Sequence, residues 1–429
     1  MAYSVAQKAK VREFVLAVKD RVLEPDDPWL VSLAEHGAGD VVDDIATEID
    51  LRDEQGVCLL TGQSGTGKST ALKRLKRRLE ELSATVFYVD LAQVLITDKR
   101  VEITDFLLAV AGALSEQVEQ TFGSSPGRLG YWDRFTNFMQ TRVEVTELSA
   151  KLPGLDIKAA LKYDPVFKQR LQAAARPHIP MLVDSLRDFV SDCVQRVRAV
   201  REDDSVKVVL LVDSVERIRG VRGEEMEVYE SVRDLFLRYA HYLIIPKLHL
   251  VYTVPTYLTM LAPGAAIGIG ATHTRRLTST RVWSKSPKRE PDPDGLRCMR
   301  SLLDARFCGW NQIFEAAAVN ALALSSGGDL RKFLSLVSAC LFAGVRDDIP
   351  WPMTDGAIRH VQLAASNEMA QLPRDHLDWL QRIKLSNQHC LDTEADLPTF
   401  ARFLDNQQIL TYRNGQFWYD VHPLLHDLI

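Results

Sequence analysis

The chain has 429 residues, 46% of them hydrophobic and 25% charged, a composition typical of a globular protein with two or three domains. The formal net charge of −5 excludes a generally basic surface, so a nucleic-acid role would need a local basic patch. No apolar run reaches the roughly 18 residues that span a bilayer, and the N-terminus lacks the apolar core of a signal peptide. The six cysteines include no C-x-x-C pair, which favours buried thiols over disulfides or a zinc site. We therefore expect a cytoplasmic protein with no membrane contact.

The first motif occupies residues 62–69 and matches the phosphate-loop pattern G-x-x-x-x-G-K-[ST] without a mismatch. The apolar run from Gly56 to Thr61 precedes it and predicts a buried parallel strand. Leucines recur at helical spacing from Ser69 to Leu82 and predict an amphipathic helix. Strand, glycine loop and helix are the context in which this motif binds a nucleotide.

Each residue type in the loop suits a phosphate. Glycines permit backbone angles that point N–H groups at phosphate oxygens, and the helix N-terminus adds a positive dipole end. Lys68 is predicted to neutralise the β- and γ-phosphates of ATP, and the Ser69 hydroxyl to ligate Mg²⁺. Thr70 is a candidate residue for contact with the α-phosphate. The predicted nucleotide-binding residues are Gly62, Gln63, Ser64, Gly65, Thr66, Gly67, Lys68, Ser69 and Thr70.

A second predicted strand, Val86 to Asp90, is followed by a long insert of about 115 residues, far longer than a usual crossover. Apolar residues at helical spacing predict that the insert is helical. The predicted helices run from Ile103 to Val118, from Tyr131 to Leu148 and from Pro180 to Val200. One interpretation is that the insert is a helical layer that covers the edge of the sheet.

The strand Lys207 to Asp213 is the best candidate for the strand that carries a magnesium-binding carboxylate. Ser214 stands where a Glu follows the Asp in the commonest pattern, so Glu216 is the first carboxylate available to polarise water. Two interpretations of Glu216 are open. It orients the attacking water, or it pairs with Arg217 or Arg219 and hydrolysis is slow.

A further strand, Lys247 to Val254, places Thr253 near its tip. There the hydroxyl would sense the γ-phosphate or hold water; packing within the sheet is the alternative. Short apolar runs that alternate with helical segments predict an α/β fold with a parallel sheet between helical layers.

Residues 263–295 combine a flexible glycine-rich start with a cluster of basic residues, including Arg275 and Arg276. This segment is predicted to be a loop. Further on, Ser326-Gly-Gly-Asp-Leu-Arg331 opens a predicted helix.

The C-terminal residues form a predicted compact unit. Amphipathic helices at Leu377 to Ile383 and Leu397 to Asn406 precede a hairpin from Ile409 to Val421 with Asn-Gly at its turn. Helices followed by a hairpin predict a winged helix, a domain that often binds DNA. The presumed recognition helix carries a single arginine and two acids, which favours contact with protein over contact with DNA. His422 is interpreted as structural.

In chain order, the phosphate loop, Asp213, Thr253 and Gly328-Asp-Leu-Arg331 resemble the motifs of AAA+ ATPases. The resemblance covers roughly residues 25–429 and is best to the branch of origin-recognition initiators, transposition regulators and STAND-type signalling ATPases, where a helical lid and a winged helix follow the P-loop core. It implies that Arg331 contacts the γ-phosphate from the lid. It also implies an arginine that acts on the neighbouring subunit's nucleotide, for which Arg275, Arg276 and Arg217 are candidates. The long insert also resembles those of STAND-like and antiphage-defence ATPases, which implies contacts with other subunits or partners, and this interpretation is compatible with a layer that covers the sheet edge.

The resemblance implies an N-terminal helical segment over 1–50, an ATPase core over 51–295 with the insert at about 91–205, a lid over 296–370 and a winged helix over 371–429. The favoured function is a slow ATPase that uses ATP and Mg²⁺, forms a homo-oligomer and switches a separately encoded effector protein. The resemblance to ATPases of bacterial antiphage defence suggests that setting. The alternative is an initiator- or transposition-type ATPase that binds DNA through the winged helix and basic loop. A kinase fits the lid and winged helix poorly.

Overall fold

The computed structural model describes residues 3–31, 40–53, 55–123, 163–220, 223–261, 264–271, 274–285, 287–370 and 372–429. The chain forms two compact units. We call the unit formed by Met1–Val41, Gly62–Lys73 and Leu277–Ile429 the loop unit, and the unit formed by Val42–Thr61 and Arg74–Arg276 the sheet unit. The helix predicted from Tyr131 to Leu148 lies outside the described residues.

A five-stranded sheet has the strand order β2-β3-β4-β1-β5. Its strands are β1 Gly56–Gly62, β2 Thr85–Asp90, β3 Val208–Asp213, β4 His249–Val254 and β5 Thr274–Leu277. The pairs β1–β4, β2–β3 and β3–β4 are parallel. Strands β3 and β4 are buried along their whole length, which is why their sequences are almost continuously apolar. The predicted parallel α/β sheet is therefore confirmed.

Two differences from the predicted strands have simple physical reasons. Strand β4 begins at His249, two residues later than predicted, because Lys247 has a left-handed backbone (φ +64°) that an extended strand does not allow. The prediction of a loop at Arg275 and Arg276 is wrong, because both residues lie in β5. An edge strand is not buried along its whole length, so it tolerates charged residues. For that reason β5 contains no apolar run that would predict a strand.

Helices and the insert complete the sheet unit. The long helices include α2 Val41–Leu51, α3 Lys68–Glu81, α4 Ile103–Phe122, α5 Pro165–Ala175, α6 Ile179–Arg201 and α7 Glu225–Phe236, and the short turns are α8 Leu258–Leu261 and α9 Ala265–Gly268. The first residues of α3, up to Lys73, belong to the loop unit. Helix α4 packs against α6 and β2. A buried ion pair joins α4 to α5, with Lys168 Nζ 3.7 Å from Asp105 Oδ2. The predictions of helices near 103–118 and 180–200 are thereby confirmed.

The loop unit has its own hydrophobic core. Its helices are α1 Val5–Ala17, α10 Pro293–Arg306, α11 Ala316–Ser325, α12 Leu330–Arg346, α13 Asp355–Met369, α14 Arg374–Ser386 and α15 Leu397–Asp405. Phe14 of α1 stacks on Phe307 with ring centroids 4.3 Å apart, which ties the N-terminal helix to the end of α10. Asp329 caps α12, because its carboxylate accepts the backbone N–H of Lys332 at 2.7 Å.

After α14 and α15, strands β6 Ile409–Asn414 and β7 Gln416–Val421 form an antiparallel hairpin. Gly415 at its turn has φ +70°, a left-handed conformation that favours glycine. Tyr412 and Trp418 stack across the hairpin with centroids 4.6 Å apart. The predicted pair of helices followed by an Asn-Gly hairpin is confirmed, whereas its assignment as a winged helix remains a prediction.

Two further sequence-based expectations concern cysteines and membranes. All six cysteines are free, and four of them are buried: Cys58, Cys193, Cys298 and Cys340. Within the described ranges, no helix is long and apolar enough to cross a membrane.

Candidate functional site

The phosphate loop follows β1 directly and ends where α3 begins at Lys68. Gly65 and Gly67 have φ of +88° and +87°, angles at which a side chain would be strained. Gly62 is equally restricted, because a Cβ there would lie 2.7 Å from Thr66 Oγ1. Among the described residues, the backbone N–H groups of Gly65, Gly67 and Ser69 donate to no protein acceptor. Free N–H groups at a helix N-terminus suit phosphate oxygens, so the loop fits a nucleotide.

Lys68 is buried, and its ammonium group donates to the loop's own backbone. Its Nζ lies 2.7 Å from the carbonyl oxygen of Gly62 and 3.1 Å from that of Gln63. The same Gln63 carbonyl accepts the Thr66 hydroxyl at 2.8 Å. The cation is thus already positioned within the loop, and phosphate oxygens would compete with these carbonyls for it.

Thr70 and the nearby Lys73 contact a distant part of the loop unit. The Thr70 hydroxyl accepts the backbone N–H of Leu23 at 3.3 Å, and Lys73 forms an ion pair with Glu24 at 2.8 Å. The segment that follows α1 therefore packs against the first turns of α3. The interpretation of Thr70 as an α-phosphate contact remains a prediction.

Arg331 lies at the phosphate loop, and its predicted contact with the γ-phosphate remains a prediction. Its Nη1 donates to Ser64 Oγ at 2.5 Å, and its Nε lies 2.6 Å from Asp20 Oδ2. The side chain is 44% exposed, so the guanidinium is accessible at the loop. Asp20 occupies the kind of position that a phosphate oxygen would take on this arginine.

In the sheet unit, Asp213 ends β3 and is buried. One carboxylate oxygen accepts the hydroxyl of Tyr88, and the other accepts the backbone N–H of Ser214 at 2.7 Å. Burial and the neighbouring carboxylate of Asp213 raise the pKa of Tyr88, so its hydroxyl stays protonated and donates. A carboxylate has about four acceptor positions, so these two hydrogen bonds do not by themselves fill the Asp213 carboxylate. Asp213 and the Ser69 hydroxyl are hard oxygen donors of the kind that Mg²⁺ prefers.

Glu216 lies on a short 3-10 helix, Val215–Arg217, just after β3. Its Oε2 accepts the hydroxyl of Thr253 at 2.7 Å. Thr253 Oγ1 in turn accepts the backbone N–H of Val215 at 3.3 Å. The two candidates that were predicted separately therefore contact each other, and Thr253 orients the Glu216 carboxylate. Ser214 has φ +66°, a turn that directs the chain away from the strand immediately after Asp213.

The three candidate trans arginines differ in their surroundings. Arg275 Nη2 lies 3.2 Å from Glu48 Oε2, and Arg276 donates to the Thr259 hydroxyl at 2.7 Å. Arg217 is exposed and forms no side-chain bond in the part of the chain that the structure describes.

Four residues that lie at these positions are not among the site residues predicted from the sequence: Asp20, Tyr88, Asp329 and Gln407. Asp329 lies against the loop, since a Cβ on Gly65 would be 2.7 Å from its Oδ2. Burial raises the pKa of Asp329 to about 6. A helix-cap pattern could have indicated Asp329, but long-range contacts placed the others.

A parallel sheet whose first strand leads into a glycine-rich phosphate loop defines the P-loop NTPase α/β fold. Residues 51–244 match the family model described as an AAA domain. The match supports placing this region among nucleotide-binding AAA+ P-loop ATPases.

Three solved structures are similar over nearly the whole chain. They are Cdc6p from Pyrobaculum aerophilum (13% identity, 95% of each chain, TM-score 0.40), the Aeropyrum pernix ORC1 protein in complex with DNA (13%, 96% of each chain, 0.38) and a Walker-type ATPase of Pyrococcus abyssi (11%, 95% of this chain and 98% of that one, 0.43). Because these identities and TM-scores are low, the similarities decide nothing about function. No curated protein matches the chain in sequence.

Proposed function

We propose that this protein is a slow AAA+ ATPase that uses ATP and Mg²⁺, assembles with copies of itself and switches a partner protein. The phosphate loop carries the proposal. Its N–H groups at Gly65, Gly67 and Ser69 have no protein acceptor among the described residues, and Lys68 lies beside them. Together these groups offer an anion site with one fixed positive charge.

Within the proposal, Ser69 and Asp213 would hold Mg²⁺, which would neutralise charge on the phosphates. Glu216 accepts a proton from, and orients, the attacking water. The hydrogen bond from Thr253 supports this role, because it fixes the direction of the Glu216 carboxylate. Slow turnover is consistent with Ser214 standing directly after Asp213 and with Glu216 entering from a turn.

We assign Arg331 to the γ-phosphate in the same chain. For the arginine that acts on a neighbouring subunit's nucleotide, Arg217 is favoured over Arg275. The reason is exposure: Arg217 is available at the surface, whereas Arg275 forms an ion pair with Glu48. Arg276 is the second candidate, because its bond to the Thr259 hydroxyl is a hydrogen bond to a neutral group and not an ion pair.

The partner is proposed to be a separately encoded effector protein, in a cytoplasmic setting such as bacterial antiphage defence. The proposed lid (296–370) and winged helix (371–429) would transmit the nucleotide state to it. A DNA partner is less favoured because internal acids already pair with basic residues of the 275–289 segment. Arg281 pairs with Asp292 at 2.6 Å, and Arg289 pairs with Asp420 at 2.7 Å.

The test compares wild type with Lys68→Ala and with Lys73→Ala, a lysine on the same helix that pairs with Glu24 instead. Affinity for a fluorescent ATP analogue, size with and without ATP and Mg²⁺, and phosphate release are measured. We expect Lys68→Ala to lose about 100-fold in affinity, since it removes charge-assisted bonds to phosphate, and to lose ATP-dependent assembly. Lys73→Ala should behave like wild type. Equal behaviour of all three proteins would refute the proposal.

Glu216→Gln tests the catalytic assignment separately. This variant should bind ATP normally and lose most phosphate release, because the amide cannot accept a proton from water. Intact hydrolysis would show that another group activates the water. For the DNA alternative, salt-sensitive and nucleotide-dependent binding to duplex DNA would favour it over the switch.

A further inference from the structure

The side chain of Gln63 in the phosphate loop bonds three backbone groups near the C-terminus. Its Nε2 donates to the carbonyl oxygens of Leu404 at 3.0 Å and Ile409 at 2.6 Å. Its Oε1 accepts the backbone N–H of Thr411 at 2.8 Å. Gln63 is buried, so leaving these groups unpaired would cost free energy. A loop residue thus holds the junction between α15 and β6.

A second glutamine makes the reciprocal contact. Gln407, between α15 and β6, donates from Nε2 to the backbone carbonyl oxygen of Ser64 at 2.6 Å and to Asp329 Oδ2 at 2.9 Å. Gln407 has φ +57°, a left-handed conformation that is uncommon for a residue with a side chain. We call Gln63, Gln407 and the backbone groups they bond the glutamine clasp.

The clasp is connected to the cation of the loop through a single peptide unit. The backbone carbonyl of Gln63 accepts Lys68 Nζ, while the side chain of the same residue holds the C-terminal segment. Phosphate oxygens form stronger bonds with an ammonium group than neutral carbonyls do. A bound nucleotide would therefore draw Lys68 from the Gln63 carbonyl and remove one of the bonds that hold the Gln63 peptide, leaving those from the hydroxyl and backbone N–H of Thr66.

We propose that nucleotide binding and docking of the segment 397–421 on the phosphate loop oppose each other through the glutamine clasp. The inference rests on the proposed function and names its regulation. Because coupling between two equilibria is reciprocal, a nucleotide weakens the clasp by the same factor by which the clasp weakens nucleotide binding. The released segment is then the part of the chain that reports the nucleotide state to a partner.

The first measurement needs no variant. Hydrogen exchange of the backbone amides in 404–411 is followed in the wild-type protein with and without ATP and Mg²⁺. We expect ATP to accelerate exchange at Thr411 about tenfold or more, because its amide loses the bond to Gln63. Unchanged or slower exchange in a protein that binds ATP would overturn the inference and leave the proposed function standing. Failure of the wild type to bind ATP would refute both.

The second measurement compares Gln407→Ala with Gln408→Ala. Gln408 is the adjacent residue, and its side chain makes no bond within the described ranges. Gln407→Ala removes two hydrogen bonds of the clasp without changing the phosphate loop, and we expect about fivefold tighter binding of a fluorescent ATP analogue. Gln408→Ala should match wild type. Equal or weaker binding by Gln407→Ala, in a protein with wild-type circular dichroism, would contradict the proposal.

Discussion

The two units hold their candidate residues in different ways. In the sheet unit, Asp213, Glu216 and Thr253 lie at the ends of neighbouring strands or on the turn that follows, so the parallel register brings them together. In the loop unit, Gln63 and Ser64 are held by side chains and backbone groups from positions more than 260 residues further along the chain. The sheet unit therefore places its groups through the register of neighbouring strands, whereas the loop unit holds Gln63 and Ser64 through contacts from the C-terminal segment.

Buried carboxylates show the same contrast. Asp213 is satisfied by Tyr88 and by the backbone N–H of Ser214, groups that belong to the same sheet region. Asp329 is also bonded, to Lys332 and Gln407, yet burial keeps its pKa at about 6. Burial therefore outweighs the hydrogen bonds and the nearby Arg331 in setting the pKa of this carboxyl group.

Asp213→Asn should have the largest effect on activity. It tests whether the sheet unit supplies the metal ligand. We expect ATP turnover in Mg²⁺ to fall about 100-fold or more, since the amide is a poorer ligand for a hard cation, while nucleotide binding in EDTA changes little. Asp90→Asn is the matched control, because Asp90 ends the neighbouring strand in register with Asp213 and caps a short turn. Similar losses of turnover in both variants would show that a change at either strand end impairs activity, and that Asp213 has no specific role as a metal ligand.

Asp329→Asn tests whether the buried Asp329 carboxylate lowers the unfolding free energy of the protein as the pH rises. The folded-state pKa of about 6 exceeds the ordinary 3.8, so the wild-type carboxyl binds its proton more tightly when folded, and its contribution to stability falls as pH rises from about 4 to 6. The difference in unfolding free energy between variant and wild type should shift by about 3 kcal/mol in favour of the variant over this window.

This shift is measured by urea unfolding of both proteins across the pH range. The Asn side chain keeps an oxygen for the cap of α12, so the helix start is preserved. A stability difference that stays constant with pH would show that Asp329 is compensated in the folded protein.

Thr253→Val should have the smallest effect on hydrolysis. It tests whether the hydrogen bond that orients Glu216 contributes to the rate. The variant keeps a β-branched side chain in β4 but loses the donor to Glu216, so hydrolysis should fall about tenfold with ATP affinity unchanged. Thr61→Val is the control, since the Thr61 hydroxyl is equally buried and donates to the Val254 carbonyl at 2.9 Å instead. Phosphate release under saturating ATP compares the two, and an equal loss in both would make the Thr253 hydroxyl merely structural.

Local patterns predicted much of the fold. Apolar runs located four strands, helical periodicity located α4 and α6 of the insert, and Asn-Gly located the hairpin turn. Strand β5 was missed because its four residues, Thr274–Leu277, include two arginines and contain no apolar run. The resemblance predicted that Arg331 contacts the γ-phosphate; the structure places its guanidinium on Ser64 of the phosphate loop, and the phosphate contact remains a prediction. The partner of Arg331, Asp20, could not be predicted, because no short-range pattern links two residues so distant in the chain.

The sequence by itself determined the phosphate loop, the apolar strands around it and the carboxylate at the end of β3, because each depends on neighbours within a few residues. Only the tertiary structure decided that Thr253 orients Glu216, that Asp20 holds Arg331 and that Gln63 and Gln407 join the loop to the C-terminal segment. These contacts depend on which side chains and unpaired backbone groups the folded chain brings within reach of one another. A buried glutamine amide bonds whichever of those groups lie within reach, regardless of their distance along the chain.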